Sequence, residues 1–271
     1  QSNWKLSEKV SMKLGAIYTI FNGLELLEGS IRQIENYVDK VFISWQGISN
    51  RGETTTQTPD RFIHRQRELL TYAPDLTLNT KENERRKFNN AIQHLKRNGF
   101  THFILLACDH YYKPEEFIRA IEKGKDFDVS VTSMFTYFKH PTWRLIPRET
   151  YFMPFICNIH PETAVDKTPY SQAHTDPSVR INTRKSFYIF KEDEIMLHHF
   201  SAVRYDIFNK YRNSASGIRW TPEQLSQYEK EFNSYDLEKN EGIAYFDGRK
   251  IEVVDNYFNI SVNALPLEQE S

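Results

Sequence analysis

Asp109 closes the segment that begins Phe103-Ile104-Leu105-Leu106, and an acid in that setting is the residue of this chain best placed to do chemistry. An apolar run without alternation is what a strand covered on both faces requires. The carboxylate then stands at the strand's carboxyl end, where open α/β sheets hold their ligands. The same residue also suits capping the turn that follows. Upstream, Arg85, Arg86, Lys87 and Asn89 crowd one helix-forming segment. A cation there can meet a phosphate, an arginine best of all through its two-pronged geometry, although a charge run on a helix is ordinarily a solvated face. Three-residue spacing puts Arg86 and Asn89 on one face, so these two are expected to point inward. Downstream stand His198 and His199. Neighbours on a strand face opposite sides, so one imidazole is expected to reach a site while the other packs.

The elements around these residues follow from periodicity. Phe88, Ala91, Ile92 and Leu95 recur at helical spacing, and Asn98-Gly99 stops that helix. Past Asp109, Pro114 with Glu115 and Glu116 opens another helix. Residues 13–21 read as a strand, and 24–38 as a helix with Leu24, Leu27, Ile31, Ile34 and Val38 on one stripe. A strand over 40–46, a polar loop over 47–58, a helix over 60–72 and a short strand near 75–79 come next. Repeated units of this kind predict an α/β fold with a mainly parallel sheet and helices on both faces. Beyond residue 127 the period is lost. DVSVTSMFTYF, TWRLIP, YFMPFI, KSFYIF and EIMLHHF suggest short antiparallel strands, the polar stretch 158–186 suggests substrate-facing loops, and helices are expected near 203–213 and 222–239. One domain over 13–260 is predicted, its halves meeting at 127/128, between an N-terminal extension and a polar tail from 261 that frays. Gln1-Ser2-Asn3 reads as the scar of a cleaved purification tag.

Composition narrows the function classes. A net charge of −1 over 271 residues argues against a nucleic-acid partner or an anionic membrane surface. No apolar run approaches the roughly 20 residues that cross a bilayer, and no signal-peptide pattern is present. Two cysteines, Cys108 and Cys157, are too few for a disulfide framework and favour a reducing, cytoplasmic setting.

Five pieces, in order, carry a likeness: TIFNGLE at 19–25, VFISWQG at 41–47, ERRKFNNAI at 84–92, ACDHYYKPEEF at 107–117 and LHHFSAVRYD at 197–206. Together they resemble a GT-A type glycosyltransferase of the broad family 2 kind, over roughly residues 13–125 and 195–206. The resemblance implies transfer of a sugar from a nucleotide-sugar donor to a hydroxyl of a glycan or other acceptor. It implies a divalent cation, Mn²⁺ or Mg²⁺, at the donor diphosphate, with Asp109 as ligand. Such enzymes commonly carry Asp-x-Asp at this strand end, whereas here Ala107 replaces the first acid and His110 the glutamate that often follows. His199, immediately before Phe200, matches the late histidine ligand. Thr19, Phe21, Asn22 and Glu25 match donor contacts. The second strand ends in Ser44, Trp45 and Gln46 instead of the usual acids, with Trp45 able to stack on a base.

Sugar rings pack their C–H faces on aromatic rings, so Tyr137, Trp143, Arg144 and Tyr151 are expected in the acceptor pocket. An inverting transfer needs a base at the acceptor hydroxyl. Glu149, Asp166, His174 and Asp176 are available; Asp176 ranks first, in a polar loop before Pro177, and Glu149 second. Asp109 is expected to face the crevice and add little to the core. Two other classes share these features. A nucleotidyltransferase has the same sheet and an acid-held metal but usually a Gly-rich phosphate loop, which TIFNGLE lacks. A non-catalytic carbohydrate- or nucleotide-binding relative would accommodate the loss of the first acid at Ala107. The sequence carries no indication of oligomeric state.

Overall fold

A computed structural model describes residues 11–176, 178–182, 186–214, 220–244 and 248–261. The expected tag remnant at 1–3 and all but the first residue of the expected tail lie outside them. In chain order the elements are β1 (Leu14–Ile20), α1 (Leu24–Ile34), β2 (Lys40–Trp45), β3 (Arg67–Thr71), α2 (Thr80–Arg97), β4 (His102–Leu106), β5 (His110–Tyr111) and α3 (Pro114–Gly124). The second half adds β6 (Val129–Phe138), β7 (Trp143–Ile146), β8 (Met153–Asn158), β9 (Phe187–Ile189), β10 (Met196–Ala202), α4 (Ile207–Asn213), α5 (Pro222–Ser234) and β11 (Lys250–Val253).

The main sheet runs β11-β7-β6-β8-β4-β1-β2-β3. Its β3-β2-β1-β4 part is parallel throughout. β8 joins β4 antiparallel, and β6, β7 and β11 continue in alternating directions. The chain therefore winds outward from β1 to β2 and β3, then crosses back to β4 on the other side of β1. That reversal leaves a crevice at the carboxyl ends of β1 and β4, the place where such sheets take ligands.

Alternation along the strands builds two cores. Ala16, Tyr18, Val41, Ile43, Ile104 and Leu106 point to one face, under Leu27 and Ile31 of α1 and Phe117 and Ile121 of α3. Ile17, Phe42, Phe103 and Leu105 point to the other, under Phe88, Ala91, Ile92 and Leu95 of α2. The stripes read from sequence on α1 and α2 are thus the buried ones, and α2 begins at an Asn79 cap that accepts from the Glu82 amide at 2.9 Å.

Four expectations need correction. The helix over 60–72 is a single 3₁₀ turn, Asp60–Phe62, followed by β3, because Arg67 to Thr71 find parallel partners along Val41 to Trp45. Sheet pairing there overrides local propensity. The strand near 75–79 is a turn in which the Asp75 carboxylate accepts from the Thr77 amide and hydroxyl at 3.1 and 2.6 Å. The helices read over 24–38, 203–213 and 222–239 are Leu24–Ile34, Ile207–Asn213 and Pro222–Ser234, and β9 and β10, read as antiparallel strands, run parallel to β6. β5 and β11 are too short and too mixed to have shown in the sequence.

Candidate active site

At the sheet's reversal lies a cavity of about 310 Å³ lined by the ends of β1, β2 and β4, the start of α2, and residues that follow β10. Asp109 forms its floor and is only 1% exposed. Its position depends on a pairing 90 residues away in the chain. β5 and β10 run antiparallel with His110 opposite His199 and Tyr111 opposite His198, and the Phe200 amide donates to the Asp109 carbonyl at 2.9 Å. The ladder fixes His199 toward Asp109, Nε2 to Oδ1 at 3.7 Å, with the His110 ring edge-on to it. His198, one residue earlier, turns the other way, into Phe135, Tyr137 and Phe258. The opposite-face expectation holds.

The two carboxylate oxygens of Asp109 have different neighbours. Oδ2 accepts from Arg204, just past β10, and from Lys210 on α4 at 2.5 Å. Oδ1 has no hydrogen-bond partner among the described residues and faces the imidazoles of His110 and His199. Burial alone would raise the Asp109 pKa, but Lys210 and then Arg204 outweigh it and hold the carboxyl well below its usual range. Burial pushes His199 well below an ordinary imidazole and His110 down to about 4, in each case against the pull of Asp109. At neutral pH an ionised carboxylate therefore sits beside two neutral imidazoles.

One carboxylate oxygen and one nitrogen from each of His110 and His199 lie within 4.8 Å of one another. Asp109 Oδ1 is buried without a hydrogen-bond partner among the described residues, and the nitrogens that face it are His110 Nε2 at 3.9 Å and His199 Nε2 at 3.7 Å. Polar atoms left in that state cost free energy unless something fills the space between them. The residues present therefore fit a divalent cation, and a mixed oxygen and nitrogen donor set suits Mn²⁺ better than Mg²⁺.

Gly23 lines a neighbouring cavity and is held against Arg204. Its φ of +96° lies in the left-handed region, and a Cβ there would sit 1.7 Å from the Arg204 guanidinium. The neighbouring Asn22 ties three segments together. Its carbonyl accepts from Arg204 at 3.3 Å, and its side-chain oxygen accepts from the Thr55 hydroxyl at 2.5 Å. Its amide nitrogen donates to Asn209 on α4. Gln57 of the 47–58 loop caps α1 by accepting from the Gly23 and Leu24 amides at 3.1 and 3.3 Å.

Thr19, Phe21, Asn22, Gln46, Asp109, Tyr151, Asp176 and His199, all expected at a site, line this one cavity. The structure moves the others elsewhere. Arg86 is half exposed and lies 3.6 Å from Asp75, because the helix face at 86 turns to solvent. Asn89 bonds the backbone of Val165 in both directions, 2.7 and 3.1 Å, and so fastens the 158–182 stretch to α2. Arg85 is buried too, paired with Glu82, but the cation that lines the cavity is Lys87, 4% exposed, donating to Gln46 at 3.0 Å and lying 3.3 Å from Glu84. Trp45 packs against the α1-side core with its indole N–H unpartnered among the described residues, and does not line the cavity. Glu25 lines a second cavity of about 490 Å³ beyond Asn22, Arg204 and Lys210.

In the second half, Tyr137 bonds His198 Nδ1 at 2.8 Å, Arg144 pairs with Glu252, and Trp143 packs against Tyr235. None of the three borders the cavity. Glu149 is likewise spoken for, accepting from Thr136 at 2.6 Å and pairing with Arg249 at 2.9 Å. Asp176 borders the cavity and turns its Oδ1 onto the Ser178 amide and hydroxyl at 2.8 and 2.6 Å. Asp109 is not the accessible acid expected, since it is buried and neutralises Arg204, 6% exposed, and Lys210, 21% exposed. Sequence reasoning passed over His110, Lys87 and Arg204, although each lies inside a segment already singled out. Lys210 carried no signal of its own.

Cys108 and Cys157 are free and buried. No helix among the described residues is long and apolar enough to cross a membrane. No family model and no curated protein matches the sequence. Among solved structures, the chain is similar to residues 1–349 of TarS from S. aureus: TM-score 0.42, 10% identity, covering 74% of this chain and 64% of that one. A complex of the same TarS fragment with UDP gives TM-score 0.42 and 9% identity over 84% of this chain and 74% of that one. A mannose-1-phosphate geranyltransferase from Thermus thermophilus gives 0.32 and 15% over 54% and 50%. This chain thus spans under two-thirds of the length of the first of these. At such TM-scores the likenesses are distant, and the functional reading rests on this chain's own geometry.

Proposed function

We propose that this chain is a GT-A type glycosyltransferase that moves a sugar from a nucleotide-sugar donor to a hydroxyl of a glycan or other acceptor, with Mn²⁺ at the donor diphosphate. The observation that carries this is the division of the Asp109 carboxylate at the sheet's reversal, one oxygen toward two neutral imidazoles and the other toward two cations. A cavity of about 310 Å³ there falls at the lower end of the range for small-molecule sites, roughly 300–1,000 Å³. Phe21, Thr19, Gln46 and Lys87 are all in its lining and offer a ring to stack on a base and polar groups to bond its edge. Asp109, His110 and His199 would hold the metal, which when bound neutralises charge on the leaving diphosphate. Asp176 is the carboxylate that takes the acceptor hydroxyl's proton as the bond to the anomeric carbon forms and the bond to the diphosphate oxygen breaks. Tyr151 and Met153 form the wall near it.

Calorimetric titration of UDP, GDP and CDP with and without Mn²⁺ tests the reading, followed by product analysis on the sugar nucleotides of whichever base binds. Binding that tightens at least tenfold with Mn²⁺, and release of a nucleoside diphosphate on turnover, support it. Release of inorganic pyrophosphate would assign the chain to nucleotidyl transfer instead, and no binding of any nucleoside diphosphate would overturn the reading.

A further inference from the structure

Arg204 and Lys210 come from the segment that follows β10 and reach across to Asp109 from about a hundred residues away. Both border the cavity that holds Asp109 and the larger one beside it, so they form the partition between the two. Two cations share one oxygen of one carboxylate. The other acid acting on Arg204 is Glu25, in the first turn of α1, and Asp206 is occupied in capping α4 through the Asn209 amide at 2.8 Å. The Arg204 side chain is 6% exposed, its Nη1 and Nη2 reach the Asn22 carbonyl and the Cys108 sulfur at 3.3 Å each, and its Nε has no partner among the described residues. Lys210 is 21% exposed, but Arg204 is buried and shares its one carboxylate oxygen with it, and a buried guanidinium short of counter-charge is costly unless an anion arrives. Gly23 leaves the space the guanidinium occupies.

Resting on the glycosyltransferase reading, we propose that Arg204 and Lys210 are exchangeable ion-pair partners. They hold Asp109 while the cavity is empty of substrate and transfer to the diphosphate oxygens when the donor binds. The transfer releases Asp109 Oδ2 and leaves the carboxylate to the metal. Guanidinium and ammonium groups both suit this, since phosphate oxygens replace a carboxylate oxygen as acceptors of the same N–H donors. The device has an unusual signature. Lys210 opposes metal binding in the free protein, being a like charge on the metal's own ligand, and favours diphosphate binding.

The test is calorimetry on the full chain with three probes, namely inorganic pyrophosphate, the nucleoside diphosphate that binds the wild type, and the corresponding nucleoside, together with Mn²⁺ alone. Lys210→Met is expected to weaken pyrophosphate and nucleoside diphosphate binding at least tenfold, to leave nucleoside binding within about twofold, and to strengthen Mn²⁺ binding to the free protein. Lys210→Arg is expected to restore diphosphate affinity to within a few-fold of wild type. A merely structural Lys210 would weaken all four ligands together, and that result overturns the proposal. So does unchanged diphosphate affinity in Lys210→Met while the wild type binds normally, which would leave the glycosyltransferase reading standing. If the wild type itself binds neither diphosphate probe, both fall.

Discussion

The rim at the carboxyl ends of β1 and β4 and the antiparallel extension built on β6, β7 and β11 are both rich in polar and aromatic side chains, yet they are finished differently. In the extension Tyr137 has His198, Arg144 has Glu252, and Glu149 has Thr136 and Arg249. At the rim Asp109 Oδ1, His110 Nδ1, His199 Nδ1 and Arg204 Nε are buried with no partner among the described residues. A folded chain rarely leaves such groups unmet. The contrast is one of degree, since His198 Nε2 in the extension is also unpartnered among the described residues: the rim gathers four such atoms at Asp109 and its neighbours, and residue type alone does not show that grouping. An arginine or a glutamate in the extension would look no different from one at the rim in a list of candidates.

The sharpest way to break the comparison is to exchange the two acids. Asp176→Asn is expected to lower turnover by about 10²–10⁴ with donor affinity kept, as for loss of a base, whereas Glu149→Gln leaves turnover within a few-fold and shifts the denaturation midpoint. Comparable losses of turnover in both variants would place the base outside the rim. Asp109→Asn follows, with an expected loss of about 3–5 kcal/mol in denaturant unfolding, because it strands the buried Arg204 guanidinium and removes the partner of the part-exposed Lys210. A variant of unchanged stability would mean that Arg204 and Lys210 are less dependent on Asp109 than their geometry implies.

The adjacent histidines come next. His199→Gln should abolish Mn²⁺ binding seen by calorimetry with little change in stability. His198→Ala should cost about 1–3 kcal/mol, since it opens space among Phe135, Tyr137 and Phe258 and strands the tyrosine hydroxyl, while Mn²⁺ binding persists. Equal effects on both readouts would dissolve the distinction between the two faces of β10.

A smaller effect is expected from pH. Burial pushes His198 down to about 3 and His110 to about 4, whereas an unfolded imidazole titrates near 6.5. Below about pH 6.5 the unfolded chain takes up protons that the folded chain refuses, so stability falls as pH falls, and keeps falling until the folded-state values are reached. Denaturant midpoints at pH 7.5, 6 and 5 should decline by about 1–2 kcal/mol for each such histidine by pH 5, and His198→Gln should make the decline shallower. The same depression means that Mn²⁺ affinity should stay nearly flat from pH 7.5 to about 5, where an ordinary histidine ligand would already be losing it to protons. The least effect belongs to Arg144→Ala, whose partner Glu252 is largely solvent-facing: at most about 1 kcal/mol of stability and no change in acceptor KM.

Period and punctuation in the chain were enough to fix much of the frame. The stripes of α1 and α2, the apolar run of β4, the acid at its end and the opposite facing of His198 and His199 are all local properties. They depend on 3.6- and 2-residue repeats that the backbone imposes wherever the segment lies. The error at 60–72 marks where that reasoning stops, since β3 exists through its pairing with β2 and not through its own propensity. The site is decided almost entirely at longer range. That Lys87 and not Arg86 turns inward depends on how α2 is rotated against β2. That His199 meets Asp109 depends on the β5–β10 ladder, and that Lys210 meets Asp109 depends on where α4 docks, 101 residues on. Charges that end as partners carry no mark of it in sequence, because an ion pair is a property of two positions brought together and not of either residue alone.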